Sequence, residues 1–367
     1  MRVLVSAINF GLGPSGKLCS IIRDAIARDD CFEWYACGDE LDITIYKRNP
    51  FVESCWSKDP IVLSQFVRKN SITDAIVILD PEIALLLISI GVRVIYVDSI
   101  PFIWSKADVI PHDAMFYCAQ KYPGYLQAKV LEGVKNLIWI NPITINGLNA
   151  ESETTKAGSK RDKEGYVVIN FGGLHSPYGD SREYYEIIMN ALLPIISEKI
   201  YITGGGDVIK LTHELFPKVH SKTYIHEDFL NLVSGAKLFI TSPGLTTLYE
   251  TCDMDINTII LPPQNLSQVF NAMWAEKICK RVKVIKWDRK ELDVSFFSKC
   301  VEKTEEEKVR YMYNQIKKMS KDSEFLGIFN QRVAGTLSTE EYVTNTNQTK
   351  SNGADYILQL LYEMTNK

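Results

Sequence analysis

Lys237-Leu238-Phe239-Ile240-Thr241-Ser242-Pro243-Gly244-Leu245-Thr246-Thr247-Leu248-Tyr249-Glu250 carries the reading that decides the fold. A short, continuous apolar run ends in a Ser-Pro-Gly turn, and a helix-forming segment follows at once. Continuous apolar runs of this length suit parallel strands covered on both faces. The same unit recurs outward in both directions. Downstream come a strand at Thr258–Leu261, a helix at Ser267–Lys280 and a strand at Val282–Ile285. Upstream come strands at Tyr166–Phe171, Lys199–Thr203 and Thr223–Ile225, with helices at Ser181–Leu193, Ile209–Leu215 and Asp228–Ser234. Strands alternating with helices predict an α/β sheet with right-handed crossovers.

A second such series occupies the first half. Strands are predicted at Arg2–Ile8, Glu33–Ala36, Ala75–Leu79 and Arg93–Val97, with helices at Lys17–Arg28, Pro60–Lys69 and Glu82–Ile90. From Gly147 to Gly165 there is almost no large apolar side chain, so this stretch is expected to be a linker. The predicted layout is a domain over 1–146, a polar linker over 147–165, a second domain over 166–340, and a tail over 341–367. The tail's last helix is expected to return to the first domain. Two Rossmann-like, doubly wound domains facing a cleft are the fold class that results.

The whole-chain numbers agree with this and exclude other classes. The 367 residues suit about two domains. With 41 Lys plus Arg against 45 Asp plus Glu, the chain lacks the basic excess of a nucleic-acid binder. Its eight cysteines include no CxxC pair, and its longest apolar run, Ile83–Ile90, is far short of the roughly 20 residues that cross a bilayer. A signal peptide is not evident, and a cytoplasmic setting is expected.

In open parallel sheets ligands bind beyond the carboxyl ends of the strands, so the turns there are the candidate sites. Gly172-Gly173 and Gly204-Gly205-Gly206 each follow a strand, as does Ser242–Thr247. Glycines let a phosphate approach the backbone, and a helix start supplies free N–H groups. Ser242, Thr246 and Thr247 add hydroxyls, and Glu250, one turn on, suits ribose hydroxyls. After Pro262-Pro263 come Gln264, Asn265, Gln268 and Asn271, neutral amides that both donate to and accept from sugar hydroxyls. In the first half Gly11, Gly13, Pro14, Ser15 and Gly16 form a glycine-rich stretch after the first strand. It reads as a diphosphate or acceptor loop. With Lys17 it is also one residue short of a P-loop, Leu18 standing where Ser or Thr would bind Mg²⁺.

The segment Phe229–Ala272 resembles the donor-binding region of GT-B glycosyltransferases, most closely the group that adds N-acetylglucosamine to the peptidoglycan lipid intermediate. Gly244, Thr247 and Glu250 match its Gly-x-x-Thr-x-x-Glu pattern. Pro262, Gln264, Gln268, Asn271 and Ala272 match its Pro-x-Gln and Gln-x-x-Asn-Ala patterns. The resemblance implies that the nucleotide lies on Gly172, Gly173, Gly204, Gly205, Ser242, Gly244, Leu245, Thr246, Thr247 and Glu250, with the base near Ile225. It implies that the donor sugar lies on Gln264, Asn265, Gln268 and Asn271. Relatives often carry a histidine base in the first glycine-rich loop, and Phe10–Leu18 has none. Asp98 is therefore the expected base, with Asp113 and Asp80 as alternatives.

The activity expected is transfer of a sugar from a nucleoside diphosphate sugar, a UDP-sugar by the resemblance, inverting and metal-independent. No cofactor or metal is expected, and Asp253-Met254-Asp255 reads as a solvated turn. His175 reads as a surface loop residue. The donor is a small molecule and no nucleic acid is expected. The acceptor and oligomeric state stay open, with peripheral membrane contact if the acceptor is a lipid. A nucleotide-sugar hydrolase or epimerase, a non-catalytic sugar-nucleotide binder and a P-loop phosphotransferase are the alternatives.

Overall fold

The computed structural model describes residues 1–9, 11–39, 45–46, 49–122, 129–144, 164–173, 182–251, 254, 256–279, 281–300, 302–339, 342 and 352–365. Most of the expected linker, His175, Asp253 and Asp255 lie outside them. The chain divides into two compact units, Met1–Glu153 with Thr349–Lys367, and Thr154–Gln348.

The first unit is built on a parallel sheet of seven strands. They are β1 (Arg2–Ala7), β2 (Glu33–Cys37), β3 (Glu53–Cys55), β4 (Asp74–Ile78), β5 (Arg93–Asp98), β6 (Phe116–Gln120) and β7 (Leu137–Ile140). Their order is β3-β2-β1-β4-β5-β6-β7, so the winding direction reverses between β1 and β4. Helices α1 (Leu12–Ala27), α2 (Pro60–Lys69) and α3 (Pro81–Ser89) follow β1, β3 and β4. Asp59 and Asp80 cap α2 and α3, their carboxylates accepting first-turn N–H groups ahead of a proline.

Both faces of this sheet are covered. Val3, Val5, Ile76, Ile78, Ile95 and Val97 point to one face, and Leu4, Ala75, Val77, Val94 and Tyr96 to the other. The first face is closed by α1 and by the final helix, Gly353–Thr365, through Ile357, Leu358, Leu361 and Met364. Each such side chain, fully buried, contributes about 1.5–3 kcal/mol. Gly353 seats the final helix. Its N–H donates to Pro142 O at 2.9 Å, and a Cβ there would collide with the Asn141 carbonyl.

The second unit holds a parallel sheet of six strands. They are β8 (Glu164–Asn170), β9 (Lys199–Thr203), β10 (His220–Lys222), β11 (Ala236–Thr241), β12 (Thr258–Ile260) and β13 (Val282–Val284). The order β10-β9-β8-β11-β12-β13 reverses between β8 and β11, the doubly wound arrangement. Its longer helices are α4 (Arg182–Leu192), α5 (Gly206–Leu215), α6 (His226–Gly235), α7 (Leu245–Thr251), α8 (Leu266–Ile278), α9 (Glu305–Met319) and α10 (Ser323–Ser338), and a single helical turn lies at Val294–Phe297. Among them α9 begins on a capping box, Thr304 with Glu307, and α10 packs on α4.

Two expectations are corrected. The strand expected at Thr223–Ile225 lies three residues earlier, at His220–Lys222, and Ile225 is the cap residue of α6. The glycine-rich stretch after β1 is helical from Leu12, so Gly13, Pro14, Ser15 and Gly16 form the first turns of α1. Pro14 in a first turn loses no hydrogen bond, and Gly11, at φ 130°, makes the bend. The strands β3, β6 and β7 were missed because short runs such as Glu53–Cys55 show little periodicity alone, and the helix α10 because Gly327 and Gly335 interrupt its pattern.

Candidate functional site

In the second unit the site grows from Asn170, the last residue of β8 at the reversal point. Its amide Nδ2 donates to Thr241 Oγ1 at 3.0 Å, tying the carboxyl ends of β8 and β11 together. Its Oδ1 accepts from Gly172 N at 3.0 Å and Thr203 Oγ1 at 3.1 Å, while its carbonyl accepts from Ser242 N at 2.8 Å. One buried amide thus positions the turns after β8, β9 and β11. Sequence reasoning missed it, because a strand-end asparagine looks like an ordinary cap.

The glycine turns pack on one another. Gly172 holds φ 73°, in the left-handed region that favours glycine, and its carbonyl accepts from Gly205 N at 2.9 Å. A Cβ on Gly204 would stand 2.8 Å from Val208 Cγ1 and 2.9 Å from Gly172 O, and one on Gly205 would stand 3.1 Å from Gly173 Cα. Close turn-to-turn packing therefore requires these glycines before any ligand is considered.

Beyond β11, Ser242 is buried, Gly244 and Thr246 and Thr247 are half-buried, and Leu245 starts the seven-residue α7. Glu250 projects from its last turn with a side chain only 3% exposed. His226, at the start of α6, brings Nε2 within 3.0 Å of Glu250 Oε1. The approach is close but poorly directed, so neither Glu250 oxygen has a hydrogen-bond partner. Buried carboxyl oxygens without partners are costly, and a ligand bearing hydroxyl donors would relieve that cost. Ile225, beside His226, is exposed.

The amide segment divides its labour. Asn265 Oδ1 caps α8 through Gln268 N at 3.0 Å, Gln268 Oε1 accepts from Gln264 N at 3.1 Å, and Asn271 Nδ2 donates to Pro243 O at 2.9 Å. Tyr184 OH donates to Pro262 O at 2.8 Å, and Trp287 Nε1 to Pro263 O at 2.7 Å. These bonds hold the turn after β12 against the turn after β11. Each of the three amides thereby serves as scaffolding. Gln264, fully buried, keeps its Oε1 without a partner. It is a second buried acceptor.

In the first unit the expected residues fare differently. Because Gly13–Gly16 are helical, their amides cannot wrap a phosphate as a P-loop does, and Lys17 is buried on α1. That excludes the phosphotransferase alternative. Asp98 does end β5, but it is fully buried and its oxygens are taken. Ile100 N donates to Oδ1 at 3.0 Å, and Trp104 Nε1 and Tyr117 OH donate to Oδ2 at 2.9 and 2.7 Å. Burial raises its pKa to about 6 against those hydrogen bonds. A carboxylate so enclosed cannot take a proton from a substrate hydroxyl, and its role here is to anchor the 98–104 turn. Asp113 is exposed just before β6, at the amino end of that strand and away from the ligand end. Asp80 lies beyond the carboxyl end of β4. Its Oδ1 caps α3, and its Oδ2 accepts from Lys58 Nζ at 3.0 Å, which also donates to Ala7 O at 2.6 Å. Lys58 carries no sequence signal, yet it joins the carboxyl ends of β1 and β4.

Among the described residues no group of three or more His, Cys, Asp and Glu side chains is placed to hold a metal ion. No described helix is long and apolar enough to cross a membrane.

No protein-family model and no curated protein matches the sequence. Solved structures do match the fold along the whole chain. The UDP-GlcNAc 2-epimerase from Methanocaldococcus jannaschii, in complex with UDP-GlcNAc and UDP, is similar at TM-score 0.56 and 11% identity, over 99% of this chain and 100% of that one. The UDP-GlcNAc 2-epimerase from Neisseria meningitidis, bound to UDP-GlcNAc, gives 0.55 and 10%, over 99% and 100%. The glycotransferase of kitacinnamycin gives 0.53 and 12%, over 99% and 98%. The chain has a GT-B fold. In this GT-B chain the reversal points of both sheets, beside β1 and β8, are where the polar clusters around Lys58 and Asn170 lie.

Proposed function

We propose that this GT-B chain is a glycosyltransferase that uses a nucleoside diphosphate sugar, a UDP-sugar, and holds that donor on its second unit. The observation that carries the reading is Glu250. A buried carboxyl group with neither oxygen hydrogen-bonded and only His226 close by, beside the turn after β11, suits the two hydroxyls of a ribose. Gln264 Oε1, the second unpartnered acceptor, suits a hydroxyl of the donor sugar. In this reading Ser242, Thr246 and Thr247 donate to the diphosphate with the amides of Gly173, Gly204 and Leu245, while Gly172, Gly205 and Gly244, whose N–H groups are taken by Asn170 Oδ1, Gly172 O and Ser242 O, shape the turns. Ile225 lies against the base, and the amides of Asn265 and Gln268, with Asn271 beside them, are set toward the sugar. The resemblance to the solved nucleotide-sugar enzymes supports the choice of donor.

The reaction proposed is an inverting transfer without a divalent metal, in a cytoplasmic setting. The leaving diphosphate is stabilised by backbone and hydroxyl donors. Of the three carboxylates expected as base, Asp98 is enclosed, Asp113 lies at the opposite end of the sheet, and Asp80 already caps α3 and pairs with Lys58. Enclosure of Asp98 also favours a second reading, epimerisation or hydrolysis of the same nucleotide sugar, in which no second substrate's hydroxyl has to be deprotonated on the first unit.

Calorimetric titration with UDP in EDTA tests the donor site. Saturable binding is expected, and it should be lost or greatly weakened in Glu250→Ala and Thr247→Ala. Unchanged binding in both variants would overturn the assignment. Incubation with UDP-GlcNAc alone separates the reactions. A transferase leaves it intact until an acceptor is added, a hydrolase releases UDP, and an epimerase returns an altered nucleotide sugar.

A further inference from the structure

Two cysteines outside the donor site meet at the ligand end of the first sheet. Cys37 is the last residue of β2 and Cys55 the last of β3, and the two are direct partners in the parallel register. Neighbouring strands lie about 4.8 Å apart, inside the roughly 4.4–6.8 Å range of Cα separations that a disulfide spans. Their sulfurs lie on the same face. Both thiols donate to one oxygen, the carbonyl of Ser57, at 3.7 Å from Cys37 Sγ and 3.3 Å from Cys55 Sγ. Both are free thiols, Cys37 fully buried and Cys55 6% exposed. The closeness of the two sulfurs, with burial, pushes the Cys37 thiol above the ordinary range and draws the Cys55 thiol below it. A sulfur that readily becomes a thiolate beside a protonated neighbour is the pairing of an attacking and a resolving cysteine.

We propose that Cys37 and Cys55 are a modification site, a dithiol that hydrogen peroxide closes to a disulfide, and that closure acts on the adjacent Lys58–Asp80 pair. The chemistry balances in two steps. The Cys55 thiolate attacks one peroxide oxygen, the O–O bond breaks, and the departing hydroxide takes a proton to leave as water. Cys37 sulfur then attacks the Cys55 sulfenic acid, the S–S bond forms, the S–O bond breaks, and a second water departs with the Cys37 proton. Two thiols lose two electrons and one peroxide gains them. Cys55, 6% exposed against 0% for Cys37, is the sulfur that a small oxidant meets first.

The coupling to Lys58 follows from Ser57. Reduced, its carbonyl accepts both S–H groups. Oxidised, it loses both donors, and Lys58 is the next residue, with Nζ on Ala7 O and Asp80 Oδ2. The disulfide therefore removes two of the hydrogen bonds that fix the segment carrying Lys58. None of this depends on the donor-site reading.

The test uses the reduced full-length protein and a small molar excess of hydrogen peroxide under native conditions. Remaining thiols are alkylated in denaturant, and the chain is digested without reduction for mass spectrometry. The expected result is a Cys37–Cys55 linked peptide as the main disulfide product, reversed by dithiothreitol. In Cys37→Ser, Cys55 should stop at a sulfenic acid that dimedone traps, and in Cys55→Ser, Cys37 should stay reduced. Circular dichroism checks that both variants fold. If either fails, the wild-type peptide map still decides. Full alkylation of Cys37 and Cys55 while the exposed Cys31 oxidises would overturn the proposal, as would their linkage to other cysteines. Limiting acetylation reads the coupling. Lys58 should react several-fold faster in the oxidised protein, and equal rates would remove Lys58 from it.

Discussion

His226 Nε2 stands 3.0 Å from Glu250 Oε1, yet both Glu250 oxygens lack a directed hydrogen bond. A side chain held this way stabilises the empty protein poorly and is well placed to accept ligand hydroxyls. Stability and binding should therefore separate at this position. Glu250→Gln is expected to leave the urea midpoint unchanged or slightly raised. UDP should bind about 10- to 100-fold more weakly, the range of one or two hydrogen bonds to a charged acceptor. A parallel loss of stability and affinity would mean that Glu250 is a structural residue.

Asp98 predicts a pH effect of a particular sign. Burial raises its pKa from the usual aspartate value to about 6, so between about pH 4 and 6 the folded state holds a proton that the unfolded chain has released. Stability from this group is complete below that window and is lost as pH rises through it. The difference amounts to about 3 kcal/mol at most, from roughly 1.4 kcal/mol per unit. Asp98→Asn removes the titration and turns an NH₂ toward the donors from Ile100, Trp104 and Tyr117. It should be destabilised at every pH, by a margin that is larger at pH 4 than at pH 7. Urea unfolding of both proteins at the two pH values measures this. A margin that grows with pH would contradict the assignment.

The paired glycine turns make a test between neighbours. Gly204→Ala forces a methyl against Val208 and the Gly172 carbonyl, and should cost about 1–3 kcal/mol. Gly206→Ala, in the first turn of α5 with open space around it, should stay within about 0.5 kcal/mol of wild type or gain slightly. Equal effects at the two positions would show that the turns are not in close contact.

A similar comparison applies to the final helix. Gly353→Ala should weaken the seating of that helix on β7, because the Asn141 carbonyl leaves no room for a methyl. Hydrogen exchange should quicken in 354–364 in that variant. Gly335→Ala, on α10 with nothing near, provides the control.

Much of the architecture was legible along the chain. Val3–Val5, Ala75–Ile78 and Leu238–Ile240 are continuous apolar runs because both sheets are covered on both faces. The turns at Gly172, Gly204 and Gly244 were visible because each glycine closely follows a strand-like apolar run, where the chain must turn. The start of α1 was misread, since three glycines and a proline within Gly11–Gly16 look like a loop until Pro14 is placed in a first helical turn. Asp98 was chosen as a base because it ends a strand. What closes it off is Tyr117, nineteen residues further on, whose hydroxyl reaches it only when β6 pairs with β5.

The sequence by itself determined the class of fold, the strand-end positions of the turns and the residue types offered to a ligand. Local periodicity and turn chemistry are properties of neighbouring residues, so they survive without a three-dimensional arrangement. Tertiary structure alone decided which polar groups are spent and which remain. Asn170, Asn265, Gln268 and Asn271 hold the turns together, Asp98 is sealed, and Glu250 and Gln264 keep unpartnered acceptors. The physical reason is that hydrogen-bond satisfaction and burial are set by groups distant in sequence, brought together only when the strands take their places in the sheets.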